Sequence, residues 1–564
     1  MEMWTKLRIG KADRGLVIIS ILIGGLIAVF LLWPLFSVLF EAFMTAGVFS
    51  LRHFERFFKT PFYVECLINS LSLAVGVTVV CSIIAIPYAY LVVRTDIRFK
   101  ELFSIVPLIS LLLPGYLASL GYIFALGTHG AVNLFLMQYL GLTSPINFIY
   151  NLGGVVFIES LELFALIFLL FSASLEAMDP SLEESASDLG AKGLTLFRTV
   201  TFPLALPGFM AGAIMVFIRA FDSITIPLIL GFNRLMGPMA YNSVRGAAGV
   251  EMGLIAALIM IVASLAMLLS VRRYVRRKEY VFRGTRGVLV RPLKGVRRKL
   301  AYVFLLLITA SVTVPHGMVV LASFSRKWGM TILPTEYTLD AYRHVLEVAP
   351  NLLMNTFLYA SLSTVACVVM GFLLAYSVTR GKFPGKDLID SAVMIAYMTP
   401  AIALAVGYVR VFGKPLPFTD FILTWSWLVL PVVYTFRRLP FSMRSSIAAL
   451  EQLDVTLEEA SADLGATRWV TIRKIVVPLS IRGILAGASL SFIYIVKEAT
   501  TTLFLTPSSS YGTIAFGIFE YYQTAAQYQI ASALGTVMII IMVAVVVLAT
   551  RLLGVKFGTL MRIG

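Results

Sequence analysis

Charged residues are scarce in this chain. They make up 13% of its 564 residues, whereas soluble domains average about 25%. Apolar residues make up 59% of the chain, and the mean hydropathy is +0.90. This composition excludes an ordinary soluble domain and predicts a protein that crosses a lipid bilayer many times.

Cysteine and histidine are also rare, with three and four residues respectively. Cys66, Cys81 and Cys367 lie in or beside apolar segments without CxxC spacing, which argues against a disulfide framework or a metal site. The sequence also lacks a GxxxxGK[ST] phosphate loop and a nucleophile motif. We therefore expect no cofactor, no metal, no catalytic residue and no nucleotide site. The protein would not be an enzyme, and any ATP hydrolysis would be performed by a partner subunit.

Twelve apolar segments are long enough to cross a hydrocarbon core, which takes about 20 residues each. They lie near residues 15–40, 66–93, 102–126, 153–174, 204–231, 251–271, 300–323, 355–378, 389–411, 420–440, 480–505 and 528–553. The expected fold class is an all-α polytopic membrane protein with two tandem six-helix transmembrane domains. These domains would be residues 1–271 and 300–564, joined by a basic linker, 272–299.

The formal charge of +16 could indicate a nucleic-acid partner, but the position of the basic residues favours a different interpretation. Twelve Lys and Arg residues lie between 272 and 299, where Glu279 is the only acidic residue. Short loops rich in Lys and Arg stay on the cytoplasmic side and attract anionic lipids. Lys6 and Arg8 favour the same side for the N-terminus, and an even number of spans returns the C-terminus there. We therefore expect a bilayer as partner, no nucleic acid, and both termini in the cytoplasm.

A polar stretch occurs twice in this apolar sequence. Residues 175–190 read LEAMDPSLEESASDLG, and residues 450–465 read LEQLDVTLEEASADLG, at an offset of 275. Over 175–218 and 450–493, 19 of 44 paired positions are identical. Earlier in each half the matching residues, such as Gly121 and Gly407, are 286 positions apart. We therefore expect two parallel repeats facing each other across a central pathway.

Each polar copy predicts a short helix that ends at a glycine, Gly190 or Gly465, in the left-handed conformation. A second short helix and a proline at the membrane entry follow. Capping boxes starting at Ser181 and at Thr456 are one expected helix start. Asp179 followed by a proline is the alternative start in the first copy.

The duplicated stretch resembles the EAA loop of binding-protein-dependent ABC importer permeases. That signature is Glu-Ala-Ala, three residues, Gly, nine residues, then Ile-x-Leu-Pro. The first copy reads ESA at 184–186, Gly190 and VTFP at 200–203, and the second reads EAS at 459–461, Gly465 and IVVP at 475–478. Each copy replaces one Ala by Ser, and both replace the Leu before Pro.

The resemblance implies a type I importer fold in a prokaryotic cytoplasmic (inner) membrane. It also implies two partners, a dimer of cytoplasmic ABC ATPase subunits and an extracytoplasmic solute-binding protein. In that family the loop is a coupling helix that docks on the ATPase. By resemblance, this role falls on two sets of residues, the motif positions and their acidic neighbours. They are Glu184, Gly190, Glu459 and Gly465, with Glu183, Asp188, Glu458 and Asp463 beside them.

The stretches 196–230 and 497–507 look most like the fused permeases of ferric-iron importers. Ferric iron is therefore the expected solute, with thiamine, polyamines or phosphonates as alternatives. An ion-driven secondary transporter is the alternative from a different class, but it would need an intramembrane proton or sodium relay, and none is clear.

Charged residues inside apolar spans are candidates for the pathway because burying charge in a bilayer is costly. Glu159, Asp222 and Glu498 are the candidate pathway residues. Lys497 and Glu498 occupy the matching depth of the second half, because Lys497 stands 275 positions after Asp222. If the solute is cationic, these carboxylates would attract it. The alternative is a set of interfacial ion pairs without a transport role.

Overall fold

The computed structural model describes residues 14–45, 47–245, 250–276, 290–381 and 383–553. Over these ranges the protein is helical apart from connecting loops and one antiparallel hairpin, in which β1 (Met44–Thr45) pairs with β2 (Val48–Phe49). Two isolated bridges, Thr95 with Arg291 and Ser325 with Tyr337, complete the strand pairing of the described residues. The expected all-α fold class is confirmed.

Fourteen α-helices of the described residues begin before residue 272. They are α1 (Arg14–Ile27), α2 (Trp33–Glu41), α3 (Arg52–Lys59), α4 (Pro61–Arg94), α5 (Lys100–Leu112), α6 (Gly115–Leu126), α7 (Ala131–Tyr139), α8 (Leu152–Ala177), α9 (Pro180–Asp188), α10 (Gly193–Leu196), α11 (Phe202–Phe221), α12 (Thr225–Leu230), α13 (Met236–Arg245) and α14 (Val250–Arg276). Two π-helical turns, Ala28–Leu32 and Phe197–Thr201, join α1 to α2 and α10 to α11.

Twelve further α-helices of the described residues begin after residue 290. They are α15 (Gly295–Ser323), α16 (Asp340–Glu347), α17 (Pro350–Arg380), α18 (Lys386–Met398), α19 (Ala401–Phe412), α20 (Val429–Glu451), α21 (Thr456–Asp463), α22 (Arg468–Thr471), α23 (Val477–Val496), α24 (Thr500–Leu505), α25 (Ile514–Phe519) and α26 (Tyr528–Leu553). The π-helical turns Ile472–Val476 and Glu520–Thr524 lead into α23 and follow α25, and short 3-10 turns form at Leu423–Trp425 and Ser509–Tyr511.

The described residues contain fewer candidate membrane spans than the expected twelve. Among the described residues, ten helices are long and apolar enough to cross a membrane, and a bent pair raises the number to eleven. The segment expected to span at 420–440 is instead α20, which begins later and contains three arginines, Arg437, Arg438 and Arg444. These charges lower its hydropathy, although all three are ion-paired within the protein, Arg437 and Arg438 with Glu498 and Arg444 with Asp390.

Two expected spans are broken in the middle, one in each half. Pro114 separates α5 from α6, and Pro400 separates α18 from α19, where the bend reaches 101°. A residue that precedes proline is disfavoured in the α conformation. Leu113 and Thr399 accordingly have extended backbones, with ψ of 139° and 129°. The matching prolines therefore create matching breaks.

One buried thiol contact is repeated at corresponding positions of the two halves. The Cys81 thiol donates to the carbonyl of Ser160 at 3.3 Å, and the Cys367 thiol donates to the carbonyl of Thr435 at 3.3 Å. These contacts join α4 to α8 and α17 to α20, which are corresponding helix pairs. All three cysteines are buried and unlinked, as expected of structural thiols.

The first long helix of each half packs against the opposite half. The Tyr122 hydroxyl in α6 donates to the carbonyl of Ser311 in α15 at 2.5 Å. In the same way, the Tyr408 hydroxyl in α19 donates to the carbonyl of Phe30 at 2.7 Å. The first long helix of each half thus packs against a helix of the opposite half, α6 in the first half and α19 in the second. The division into domains at 271 and 300 stays a prediction.

Candidate functional site

The duplicated polar stretches form two short helices, α9 and α21, which we call the loop helices. Asp179 Oδ1 accepts a hydrogen bond from the Ser181 amide at 2.9 Å, and Asp454 Oδ1 accepts one from the Thr456 amide at 3.0 Å. Ser181 and Thr456 already lie inside the helices, so the capping boxes expected at these residues are wrong. The alternative start at Asp179 is confirmed. In the second copy, the hydrogen bonds from the amide and hydroxyl of Thr456 lower the pKa of Asp454.

Both loop helices end at the expected glycines. Gly190 has φ +93° and Gly465 has φ +82°, a region that disfavours residues with a Cβ. The following residues close the turn, because the Ala191 amide donates to the carbonyl of Ala186 at 2.9 Å. The second copy forms the same type of bond from Ala466. The expected left-handed helix ends are therefore confirmed.

The first loop helix is anchored on its inner face by a buried carboxylate. Glu183 is 2% exposed, and its Oε2 lies 3.4 Å from Nη1 of Arg94 at the end of α4. The Thr201 hydroxyl donates to Glu183 Oε1 at 2.5 Å, and Arg94 Nη2 donates to the carbonyl of Leu175 at 2.8 Å. The loop helix is thus joined to α4 and to the π-helical turn that leads into α11, and Arg94 links this contact to α8.

The second loop helix repeats this anchor. Arg380 Nε donates to Glu458 Oε1 at 2.8 Å, and the Tyr376 hydroxyl donates to Glu458 Oε2 at 2.7 Å. Arg380 Nη2 donates to the carbonyl of Leu450 at 2.9 Å, the counterpart of the bond between Arg94 and Leu175. The basic anchor residues were not anticipated from the sequence. Their offset of 286 is the signal that could have revealed them.

The outer faces of the loop helices are exposed and combine leucine with acidic residues. Leu189 and Leu464, which precede the two glycines, are each 90% exposed. The four remaining acidic motif residues are exposed on the same segments. They are Glu184, Asp188, Glu459 and Asp463. An isolated exposed leucine is common on a protein surface, but here the exposure is repeated at the corresponding position of both copies.

The end of the basic linker lies beside the first anchor. The Arg291 amide donates to the carbonyl of Arg94 at 2.8 Å, and the Leu293 amide donates to Asp96 Oδ1 at 2.8 Å. The second bond is the main cause that lowers the pKa of Asp96 from its ordinary value of 3.8. The linker residues 277–289 lie outside the described residues. The linker end and the first loop helix therefore occupy the same end of the helix bundle.

A small cavity of about 120 Å³ lies between the two halves. It is lined by the two span breaks and by the ends of α11 and α23. All three candidate pathway residues reach it, together with five further charged residues that balance their charge. The charged residues of the lining are Glu159, Glu162, Arg219, Asp222, Arg437, Arg438, Lys497 and Glu498.

This charge balance removes the sequence-based argument for a cationic solute. Four carboxylates face four basic groups, so the formal charge of the lining is zero. Arg437 Nη1 donates to Glu498 Oε1 at 2.7 Å, and Arg438 donates to the other oxygen of the same carboxylate. Glu159 accepts a hydrogen bond from the Ser223 hydroxyl at 2.6 Å. The two arginines were missed, although Arg437 stands 275 positions after Glu162.

Known proteins resemble the chain in both its halves. The family described as binding-protein-dependent transport system inner membrane component matches residues 367–558. A ferric transport system permease protein of Actinobacillus pleuropneumoniae is 25% identical over 575 residues, which cover 98% of this chain and 80% of the relative. A putative ferric transport system permease protein of Haemophilus influenzae is 24% identical over 519 residues, which cover 90% and 80%. A trehalose transport system permease protein of Mycobacterium tuberculosis is 30% identical over 192 residues, which cover 34% and 68%.

The repeated helical bundle with its two loop helices defines a multi-pass transport subunit of the inner membrane. The chain belongs to the family of inner-membrane components of binding-protein-dependent transport systems. It is a permease of an ABC importer with both permease repeats fused in one chain, as the resemblance of the duplicated loop implied.

Proposed function

We propose that this permease moves a solute from an extracytoplasmic binding protein into the cytoplasm, driven by a dimer of separate ATPase subunits. The loop helices α9 and α21 would each dock on one ATPase subunit. Both chain termini and the linker would then lie in the cytoplasm. The chain would contribute no nucleotide site, in keeping with its lack of a phosphate loop.

The observation that carries the proposal is the two-faced structure of the loop helices, which is repeated in both halves. The inner carboxylates, Glu183 and Glu458, form ion pairs with Arg94 and Arg380. The outer faces, including Leu189, remain exposed. We therefore assign the two inner glutamates to holding the loop helices in place. Contact with the ATPase would fall to the exposed leucines and to the four exposed acidic residues.

Movement of a loop helix has a direct route to the cavity. The first loop helix continues through α10 and the π-helical turn Phe197–Thr201 into α11, which ends next to Asp222. The second continues through Ile472–Val476 into α23, which ends next to Lys497. A displacement at the ATPase would thus cross the glycine turn and then follow a continuous helix, Gly193–Phe221 or Arg468–Val496, to each side of the cavity, as alternating access requires.

Ferric iron is the proposed solute. The two relatives named as ferric transport permeases align with 98% and 90% of this chain, whereas the trehalose permease aligns with 34%. Thiamine, polyamines and phosphonates are the alternatives. The zero formal charge of the cavity lining gives no preference for a cation, so the assignment of the solute depends on the relatives. Coupling to an ion gradient is disfavoured by the family to which the chain belongs.

The docking role is tested with Leu189→Asp and Leu464→Asp, alone and together. We expect each variant to insert but to lose most co-purification with the ATPase, because a desolvated carboxylate would face the docking surface. Leu333→Asp is the matched control, since Leu333 is exposed in a loop outside both loop helices. Normal ATPase binding and normal uptake in the double variant would overturn the docking proposal.

The solute is tested by uptake into proteoliposomes that contain the permease and ATPase, with the binding protein outside. We expect ATP-dependent accumulation of ferric iron, and no accumulation driven by a proton or sodium gradient alone. Accumulation of thiamine, spermidine or a phosphonate in place of iron would reassign the solute.

A further inference from the structure

Two hydrogen bonds cross between the halves at the span breaks. Asp222 Oδ2, at the end of α11, accepts from the amide of Ala401 at 2.8 Å. Lys497 Nζ, at the end of α23, donates to the carbonyl of Leu111 at 2.6 Å. Asp222 and Lys497 occupy corresponding positions in the two repeats. Each therefore contacts the broken span of the opposite half.

The charges of the two side chains match the helix ends that they contact. Ala401 is the first residue of α19, and its amide is one of those left without a partner inside the helix. Leu111 lies in the last turn of α5, where the carbonyls lack partners. A helix N-terminus carries partial positive charge and a C-terminus partial negative charge. A carboxylate suits the former and an ammonium the latter, above all in a bilayer, where water cannot satisfy the helix ends.

A difference between the two halves explains why the start of α19 is contacted by a carboxylate from the first half. The start of α6 contacts a carboxylate of its own half, because Glu162 lies directly against Gly115. The corresponding residue in the second half is Arg437, which cannot accept a hydrogen bond and is paired with Glu498. The start of α19 therefore takes its carboxylate, Asp222, from the first half.

We propose that Asp222 and Lys497 are two cross-half latches that hold the cavity closed, and that solute passage requires both bonds to break. Pro114, Gly115 and Ala401 line the cavity at the breaks, so the cavity widens only if these residues separate from the ends of α11 and α23. Both helices continue from the loop helices. Movement of the loop helices thus pulls on both latches together. The link to transport rests on the proposed function, whereas the latch bonds can be tested without it.

The test uses a thiol reporter in the cavity wall. Thr225→Cys places a cysteine in the lining, and the three native cysteines are buried, which keeps the background low. We expect Asp222→Ala or Lys497→Met to raise the rate of labelling by a charged thiol reagent about tenfold, the scale of one lost charge-assisted hydrogen bond. Asp222→Asn should give an intermediate rate because its amide oxygen still accepts from Ala401. This shape-conserving variant also keeps the test valid if Asp222→Ala fails to fold.

The charge swap Asp222→Lys with Lys497→Asp distinguishes two explanations. In the first, each side chain acts by matching the helix end that it contacts. In the second, only the presence of one positive and one negative charge matters. The swap conserves total charge, but it places an ammonium at the start of α19 and a carboxylate at the end of α5. We expect labelling to stay as fast as in the single variants. A return to the slow rate of the parent, or unchanged labelling in all single variants, would overturn the proposal.

Uptake measured on the same variants separates the two proposals. Faster labelling together with increased ATP hydrolysis in the absence of the binding protein is the result expected if both hold. Slow labelling in variants that have lost uptake would overturn the latch and leave the proposed function intact. Fast labelling in a permease that takes up solute without any ATPase would contradict the proposed function and leave the latch intact.

Discussion

Arg380 Nε lies 2.8 Å from Glu458 Oε1, and this contact repeats the one between Arg94 and Glu183 in the other half. In each pair an arginine at the end of a long helix holds the first turn of a loop helix. Because the pairs recur at corresponding positions, they belong to the machinery that connects the loops to the spans rather than to incidental surface pairing.

Replacing Arg94 alone should destabilise the protein more than replacing Arg94 and Glu183 together. Arg94→Met leaves Glu183 buried without its charged partner, which costs about 3–5 kcal/mol of unfolding free energy. The double variant Arg94→Met with Glu183→Gln should recover most of this loss, because no uncompensated charge remains. Thermal unfolding in detergent measures both. Equal losses in the single and double variants would show that the charge of Glu183 is not the cause.

The turn at Gly465 should tolerate asparagine better than alanine. Alanine in the left-handed conformation costs about 1–2 kcal/mol, whereas asparagine adopts it more readily. Nothing lies within 4 Å of a Cβ at this position, so crowding does not offset the effect. Co-purification with the ATPase and solute uptake should therefore fall further in Gly465→Ala than in Gly465→Asn. The opposite order would mean that side-chain size, and not backbone conformation, limits the turn.

The packing of the first long helix of each half against the opposite half should depend on two glycines, Gly121 and Gly407. Gly121 abuts the backbone of Pro315, and Gly407 abuts the backbone of Pro34, so that an added Cβ collides with main chain in both cases. We expect Gly121→Ala and Gly407→Ala to lower the unfolding free energy by about 1–3 kcal/mol, as overpacking does. Gly317→Ala is the matched control. It lies in α15 with open space around it, and it should be neutral or stabilising.

The hydrogen bond from the Leu293 amide to Asp96 should persist throughout the physiological pH range. Because the folded-state pKa of Asp96 is lowered, its contribution is present above the ordinary value of 3.8 and is lost as pH falls through the folded-state value. Hydrogen exchange of the Leu293 amide, corrected for its intrinsic rate, should thus be constant between about pH 5 and 8. Asp96→Ala should speed this exchange, and Asp96→Asn should speed it less. A change in protection within that pH range would indicate that the titration of another group affects this hydrogen bond.

The sequence by itself determined the membrane class, the two repeats and the local structure of the loops. Composition and long apolar runs specify membrane helices because a bilayer leaves the backbone few other ways to satisfy its hydrogen bonds. The turn at Gly190 and the break at Pro114 follow from backbone sterics, which act over one or two residues. These features depend on neighbouring residues alone, so they can be derived without tertiary structure.

Only the tertiary structure decided which polar groups meet inside the protein. Arg94 lies 89 positions before Glu183, and Asp222 contacts Ala401 from the other half, so no local pattern joins these residues. The sequence predicted an acidic pathway, whereas the structure has a charge-balanced cavity, because the basic partners come from distant segments. A buried carboxylate needs partners, and the fold supplies them from distant segments such as Arg437 and Arg438. Local sterics set the helices and their breaks, whereas long-range packing selects the side chains that satisfy them.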